Sequence, residues 1–194
     1  MSNETSSFKQ VWPLIINEIK HTLEDISSND IQILVQNLIK AKNIFVAGTG
    51  RSGLVIRCFA MRMMQLGLKT YVVGETNSPA IKSGDLLLIG SGSGTTNNLV
   101  NYANRAVAAK ARLALITTAS DSPITKLAEI IILISAPTPK SSNKNNLSHQ
   151  LSHQPMATLF EQVLGIILDG CVMLLMEQLE ETEEEMFRRH ANLE

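Results

Sequence analysis

The sequence predicts an α/β fold in which helices flank a five-stranded parallel sheet, giving three stacked layers. Two features support this prediction. Short apolar runs, such as 43–47 and 85–90, alternate with longer segments whose apolar residues recur with a helical period. Strands that are apolar throughout are typical of a parallel sheet covered on both faces. The chain has 194 residues, enough for one full hydrophobic core, so we expect residues 1–194 to form a single domain.

The individual elements follow from local signals along the chain. Two amphipathic helices are expected within residues 8–40, where Pro13 marks the start of the regular part of the first and Asp30 can cap the second. An α/β core is expected over residues 43–135. Its predicted strands are 43–47, 69–73, 85–90, 113–117 and 130–134, and its predicted helices are 51–66, 96–110 and a short one after Pro123. C-terminal helices are expected within residues 155–190.

Residues 136–154 are predicted to form an exposed polar loop, because they combine prolines, serines and asparagines with few apolar residues. His149 and His153 lie four residues apart in this loop, but without neighbouring carboxylates or thiolates they do not predict a metal site. The helix expected from Pro155 to about Leu179 is apolar on nearly every face. Such a helix is buried, either in the core or between subunits.

Bulk properties disfavour several classes of function. The net charge is −1 and aromatic residues make up only 4% of the chain, which disfavours a nucleic-acid partner. The N-terminus does not resemble a secretory signal, and the most apolar helical stretch, 163–176, contains Asp169 and is expected to be too short to span a bilayer. Cys58 and Cys171 lie in apolar segments and are expected to be buried thiols of the reducing cytosol. These features predict a cytoplasmic protein without a membrane partner.

Two glycine-rich turns carry the functional prediction. The sequence GTGRSG at 48–53 follows the first predicted strand, and SGSGTT at 91–96 follows the third. Glycines let the backbone approach an anion closely, and the helix that follows each turn supplies free N–H groups. Ligands of such sheets bind at the carboxyl ends of the strands, where both turns are expected. The side chains expected to hold a phosphate are those of Ser52, Ser91, Ser93 and Thr96, with Gly50 and Thr95 in the same turns.

The first turn also fits a different reading. Gly48, Gly50 and Gly53 match the dinucleotide-binding fingerprint, and Glu75 lies near the position where that motif has an acid. Two helices before the strand, Arg51 within the turn and a second anion-binding turn all count against a dinucleotide. A single terminal phosphate suits this arrangement better. The alternative that the glycines serve packing alone also stays open at this point.

Further stretches give the sequence a family resemblance. Together with the two turns and the preceding helices, they resemble the sugar isomerase (SIS) domain, most closely that of the 6-phospho-3-hexuloisomerases. The stretches are 57–62 (RCFAMR), 73–76 (VGET), 154–162 (QPMATLFEQ) and 189–193 (RHANL). The resemblance runs from about residue 8 to 194, although residues 138–152 look longer and more polar than the usual connection of the family.

This resemblance implies a Rossmann-like SIS domain, a homotetramer and an enzyme that needs no cofactor. The implied reaction interconverts a 3-hexulose 6-phosphate and fructose 6-phosphate in one-carbon or pentose phosphate metabolism. It requires a base that moves a proton between C2 and C3 and a second group that moves a proton between the two oxygens. Two alternatives remain: an isomerase of another ketose or aldose phosphate, and an SIS-type module that binds a phosphosugar without converting it.

The resemblance also implies roles for four charged or titratable residues. Glu161 is the expected base, because apolar neighbours disfavour the charged form of a carboxylate and so raise its pKa toward the working pH. From the residues alone, an equal alternative is that Glu161 is an acid favoured by the helix N-terminus. His190 is the expected second group, in its own or a neighbouring subunit's site. Arg51 is expected to hold a sugar oxygen or the enediolate, or else to form a surface ion pair, and Glu75 is expected to orient a hydroxyl.

Overall fold

The computed structural model describes residues 7–137 and 152–193 and confirms the predicted five-stranded parallel sheet. The strands are β1 (Ile44–Gly48), β2 (Thr70–Val72), β3 (Leu86–Gly90), β4 (Arg112–Thr117) and β5 (Ile130–Leu133). The helices are α1 (Phe8–Glu24), α2 (Ser28–Lys40), α3 (Gly50–Gln65), α4 (Asn97–Ala108), α5 (Thr158–Leu179) and α6 (Glu183–Arg188). Most of the predicted polar loop, 138–151 with His149, lies outside the described residues.

The order of the strands in the sheet is β2-β1-β3-β4-β5. The chain passes from β1 outward to β2, then returns to place β3 on the other side of β1. β1 and β3 are therefore neighbours at the point where the strand order reverses. In open α/β sheets, ligands bind in the crevice outside the carboxyl ends of the strands at such a switch point.

The hydrophobic core has one layer on each face of the sheet. Side chains alternate along a strand, so Ile44 and Val46 of β1 pack on one face, while Phe45 and Ala47 pack on the other. The first face is covered by α2, α3 and α5, and the second by α4. α1 packs on α5, and α6 packs on α3. This arrangement is the predicted three-layer sandwich.

α5 is the most apolar helix among the described residues. Its 22 residues are long and apolar enough to cross a membrane, so the expectation that this stretch is too short was wrong. Nine of its residues are nevertheless buried, because it packs against α3, α2 and α1 within the main core cluster. This packing is that of a core helix. Ile166 and Met173 remain exposed on its outer side.

Three helix starts differ from the prediction. α1 begins at Phe8 behind the capping residue Ser7, so Pro13 lies inside the helix rather than at its start. α2 is capped by Ser27, whose hydroxyl accepts a hydrogen bond from the Asp30 N–H at 3.2 Å. Asp30 therefore lies in the first turn instead of capping the helix. The third difference is at α5, where the positive φ angle of Met156 delays the start of the helix.

The short helix predicted after Pro123 is wrong. The chain forms turns there, in which side-chain hydrogen bonds accompany isolated backbone bonds such as that from the Lys126 N–H to the Ser122 carbonyl oxygen at 3.1 Å. Ser122 Oγ accepts the Thr125 N–H at 3.1 Å, and Thr125 Oγ1 donates to the Ala119 carbonyl oxygen at 2.8 Å. The Ile124 N–H donates to the carbonyl oxygen of Gly94 at 3.4 Å, which draws this segment toward the second glycine turn.

The two cysteines have different environments. Cys171 is fully buried in α5 as predicted, and burial raises the pKa of its thiol to about 12. Cys58 is exposed on the outer side of α3, so the expectation that both thiols are buried was wrong for this residue. The apolar residues around Cys58 in the sequence belong to successive turns of a helix, and only some of them face the core.

Candidate functional site

The two glycine turns lie side by side at the carboxyl edge of the sheet. Gly48 at the end of β1 pairs with Gly90 at the end of β3, so the two turns begin side by side at the end of the sheet. Neighbouring strands are about 4.8 Å apart, which brings both turns within reach of one small anion. Their position coincides with the switch point between β1 and β3.

The first turn packs the start of α3 directly onto β1. A Cβ atom on Gly53 would lie 2.7 Å from the Gly48 carbonyl oxygen, so only glycine permits this contact. Gly50 has a φ angle of +57°, and no atom of the described part of the chain lies within 4 Å of the position of an added Cβ, which leaves its backbone accessible. Ser52 is half-buried in the first turn of α3. Packing and anion access are therefore both served by the glycines of this turn.

Helix N-termini supply the main-chain donors of the site. Within the described residues, neither Thr49 at the start of α3 nor Thr96 at the start of α4 caps its helix through its side chain. The first N–H groups of a helix have no partner inside the helix. Those of α3 and α4 thus remain available to a ligand at the same edge, where the helix dipoles favour negative charge.

Hydroxyl groups in the second turn are oriented by the turn itself. The buried Ser91 accepts the Gly94 N–H at 3.2 Å, and Ser93 Oγ accepts from both the N–H and the hydroxyl of Thr95, at 3.3 and 3.0 Å. A hydroxyl that accepts in this way keeps its own hydrogen for donation. Ser91 and Ser93 can therefore each donate to an anion placed between the turns.

The end of β4 holds the second turn in place, which the sequence analysis missed. The Gly92 carbonyl oxygen accepts from Thr117 Oγ1 at 3.0 Å and from Thr118 Oγ1 at 2.8 Å. Gly94 has a φ angle of +62°, and a Cβ there would lie 2.1 Å from Ser122 Oγ. The hydroxyl pair at 117–118 lies at the end of a predicted strand, at the same edge as the glycine turns, and that signal could have identified it.

Glu161 meets the first turn through Arg51. Arg51 Nε lies 2.9 Å from Glu161 Oε2, and Arg51 Nη1 lies 3.4 Å from Thr158 Oγ1. The Glu161 side chain is only 12% exposed, whereas that of Arg51 is 62% exposed. The first turn of α5 is thereby brought to the start of α3. Both residues were expected in the site, and an ion pair was one alternative for Arg51, but its pairing with Glu161 was not predicted.

α5 begins three residues later than predicted. Met156 has a φ angle of +50°, which a right-handed helix cannot accommodate, so the helix starts at Thr158 rather than at Pro155. Thr158 Oγ1 donates to the Pro155 carbonyl oxygen at 2.7 Å and closes this turn. Glu161 consequently lies in the first turn of α5 rather than in the second, next to Arg51.

Glu75 lies at the same edge, beyond the end of β2. Its Oε1 atom is 2.5 Å from Nη1 of Arg57, and both side chains are about half exposed. β2 is the outer neighbour of β1, so Glu75 lies on the β2 side of the first turn. In this structure its carboxylate is engaged by Arg57 of α3.

His190 lies near the C-terminal end of α3, whereas Glu161 contacts the N-terminal end of that helix. The preceding residue, Arg189, donates to the carbonyl oxygen of Gln65 at 2.9 Å, and Gln65 is the last residue of α3. α3 has 16 residues and is therefore about 24 Å long, with Arg51 at its opposite end. His190 is exposed and stacks on Phe187 with ring centroids 6.0 Å apart. The two predicted catalytic residues are not brought together within one chain.

Comparisons with known proteins agree on one family. The SIS domain family matches residues 37–152. The chain is 40% identical over 181 residues to the 3-hexulose-6-phosphate isomerase of Mycobacterium gastri, covering 93% of this chain and 88% of the relative. It is 39% identical over 180 residues to that of Bacillus subtilis, covering 93% and 95%.

A solved structure shares the fold over the same length. It is that of a Methanococcus jannaschii protein, described as inferring a molecular function of 3-hexulose-6-phosphate isomerase. The two proteins superpose with a TM-score of 0.81 at 32% identity, covering 94% of this chain and 98% of the other. The similarity therefore extends into α5, which lies beyond the residues matched by the family itself.

Proposed function

Because the chain belongs to the SIS domain family, we propose that it is an isomerase that interconverts D-arabino-hex-3-ulose 6-phosphate and D-fructose 6-phosphate. The observation that supports this most directly is the meeting of three elements at one edge of the sheet. Two hydroxyl-bearing glycine turns lie on neighbouring strands, and the Arg51 guanidinium connects the first of them to Glu161. This arrangement joins an anion site to a carboxylate.

We propose that residues 1–194 act as a single SIS domain in the cytoplasm.

The phosphate of the substrate binds between the two turns. Ser91 and Ser93 donate hydrogen bonds from one side, and Ser52 and the first N–H groups of α3 donate from the other. Thr96 adds a hydroxyl at the start of α4. Gly50 and Thr95 complete the two turns. A hydrogen bond to a charged group is worth about 1.5–3 kcal/mol, so several of them fix the phosphate end of a small sugar firmly.

Glu161 moves the proton between C2 and C3. Starting from the 3-ulose, its carboxylate takes the proton from C2, and the electron pair of that C–H bond forms a C2–C3 double bond. The carbonyl at C3 becomes the enediolate oxygen of a cis-enediol(ate). Glu161 then returns the proton to C3, while the proton on O2 leaves and O3 gains one, which places the carbonyl at C2. A positioned general base supplies roughly 10²- to 10⁴-fold of the rate.

Arg51 and Glu75 assist at the oxygens of the sugar. The guanidinium of Arg51 is already 2.9 Å from the carboxylate of Glu161, so a substrate carbon that reaches this carboxylate also brings its oxygens near a positive charge. Stabilising the enediolate lowers the barrier to its formation. Glu75, on the β2 side of the same edge, orients a substrate hydroxyl.

His190 moves the proton between the two oxygens in the site of a neighbouring subunit. Its position beyond the far end of α3 separates it from Glu161 of its own chain, which makes an oligomer necessary for this role. Exposed apolar side chains offer the contact surfaces, since Phe8, Trp12 and Ile16 form one stripe on α1 and Met173 is 72% exposed on α5.

The oligomer is a homotetramer. Sedimentation equilibrium at micromolar concentration should give four times the chain mass of 21.3 kDa. A monomeric mass would rule out the shared site. A mass of two chains would keep the contribution of a partner but contradict the tetramer.

Isotope exchange tests the reaction itself. Fructose 6-phosphate is incubated with the protein in deuterated water and followed by NMR. The proposal requires deuterium to enter at C3 while the 3-ulose appears. Exchange at C1 would identify an isomerase of an aldose and a ketose instead. Binding of fructose 6-phosphate with no exchange at any carbon would identify a phosphosugar-binding module.

A further inference from the structure

Glu18 of α1 binds three consecutive residues of the segment that leads into α5. Its carboxylate accepts from Ser152 Oγ at 2.7 Å, from the His153 N–H at 2.7 Å and from Gln154 Nε2 at 3.0 Å. The Gln154 N–H also donates to Ser152 Oγ at 3.0 Å, which closes the network. These contacts join two parts of the chain that are more than 130 residues apart in the sequence.

The carboxylate of Glu18 is held in its charged form. Burial raises its pKa, but hydrogen bonds from Gln154, His153 and Ser152 and the nearby His153 ring outweigh burial, so that the pKa lies below its ordinary value. An ionised carboxylate accepts stronger hydrogen bonds than a neutral group. At neutral pH the charged carboxylate therefore accepts the hydrogen bonds from Ser152, His153 and Gln154.

The anchored segment reaches α5 through a turn of unusual conformation. Met156 adopts a φ angle of +50°. Its side chain is 79% exposed, so packing of this side chain does not impose the angle. Non-glycine residues rarely occupy this region, and they stay there where the surrounding structure leaves them no alternative. Here the turn is fixed on one side by Glu18 and on the other by the bond from Thr158 Oγ1 to the Pro155 carbonyl oxygen.

The same turn sets the position of the first turn of α5. Only residues 155–157 separate Gln154 from Thr158, and both Thr158 and Glu161 face Arg51. We propose that Glu18 is a positioning residue, which fixes the start of α5 and thereby places the Glu161 carboxylate against Arg51 and the substrate. The catalytic consequence rests on the proposed function of Glu161. A misplacement of about 1 Å in a catalytic group can reduce a rate by roughly 10²-fold.

The first experiment separates positioning from stability. Glu18→Ala should lower kcat by roughly 10- to 100-fold while KM changes by no more than about twofold, because the phosphate turns lie on other elements. Glu18→Gln keeps one acceptor oxygen and should lie between Glu18→Ala and wild type. Glu24→Ala is the matched control on the same helix and should leave both constants unchanged. Glu24 is exposed, and among residues 7–137 and 152–193 its one ion pair is with Lys20 at 3.8 Å. A lower melting temperature for Glu18→Ala with an unchanged kcat would overturn the proposal.

A rescue variant tests the route through Met156. Asparagine occupies positive φ angles more readily than methionine, and the exposed Met156 side chain has no packing to lose. Adding Met156→Asn to Glu18→Ala should raise kcat by about threefold or more, because the turn then needs less support from Glu18. If the double variant is as slow as Glu18→Ala, the turn does not transmit the effect and the proposal fails.

A measurement independent of activity separates this proposal from the proposed function. Hydrogen–deuterium exchange of the amides at 158–161 should be faster in Glu18→Ala than in wild type and in Glu24→Ala. If wild type does not catalyse exchange at C3 of fructose 6-phosphate, the proposed function fails, but faster amide exchange would still show that Glu18 fixes the start of α5. Unchanged amide exchange would overturn the positioning role whatever the reaction is.

Discussion

Replacing Gly53 by alanine tests whether the first glycine turn is built for close packing. An alanine Cβ at this position would lie 2.7 Å from the oxygen and 2.9 Å from the carbon of the Gly48 carbonyl group. Both are backbone atoms and cannot rotate away. Ordinary contacts require about 3.5 Å, so α3 and β1 must separate by roughly 0.8 Å. This shift moves the N-terminus of α3, with Ser52 and Arg51, away from the anion site.

The loss of stability caused by this shift can be measured against a glycine where an added Cβ meets no steric conflict. Gly170 lies within α5, and an added Cβ there would meet no described atom within 4 Å outside the backbone of its own helix. Glycine to alanine inside a helix is favourable by about 1 kcal/mol, and this gain is common to both variants. Overpacking costs about 1–3 kcal/mol and applies to Gly53 alone. Gly53→Ala should therefore be about 1–3 kcal/mol less stable than Gly170→Ala.

Two assays measure the effect. Urea denaturation gives the stability of both variants against wild type, and initial rates with fructose 6-phosphate give KM. We expect KM to rise by roughly tenfold in Gly53→Ala, because one or more phosphate hydrogen bonds lengthen, and to stay unchanged in Gly170→Ala. If Gly53→Ala is as stable as Gly170→Ala and keeps a normal KM, the packing argument is refuted. Loss of stability with a normal KM would show that the glycine serves packing alone.

Two further predictions concern single side chains. Ser93→Ala removes one hydroxyl from the second turn, and a hydrogen bond from this hydroxyl to a charged ligand is worth about 1.5–3 kcal/mol. KM should therefore rise by roughly tenfold or more, at little cost in stability. An unchanged KM would show that this turn does not contact the phosphate. In the native protein a thiol reagent should modify Cys58 rapidly and leave Cys171 unmodified until the chain unfolds, because burial raises the pKa of Cys171 to about 12. Modification of both thiols at equal rates in the native state would contradict the burial of α5.

The sheet could be predicted because the apolar pattern of each strand is visible in its own short stretch of sequence. β3 and β4 are apolar along almost their whole length, and such runs bounded by glycine and hydroxyl turns leave few alternatives. Helix starts were less predictable, since they depend on contacts at the level of single residues. Pro13 is accommodated within α1, and the positive φ angle of Met156 delays α5 until Thr158. A proline near a helix start thus indicates a helix but not its first residue.

The site could be predicted in part. The two glycine turns were expected at one edge of the sheet with Glu161 near them, and the structure brings these residues together there. The ion pair of Arg51 with Glu161 could not be found from the sequence, because the packing of α5 against α3 is a tertiary contact without a local pattern. The distance of His190 from Glu161 depends likewise on where α6 packs.

Glu161→Gln tests the central claim most directly. The substitution keeps the size of the side chain and a hydrogen-bonding group near Arg51 but removes the base, and Glu177→Gln on the exposed end of the same helix is the matched control. Deuterium exchange at C3 of fructose 6-phosphate should fall by roughly 10²-fold or more in Glu161→Gln, with little change in KM, and should stay normal in Glu177→Gln. Near-normal exchange in Glu161→Gln, together with its loss in His190→Ala, would contradict the account and make His190 the base.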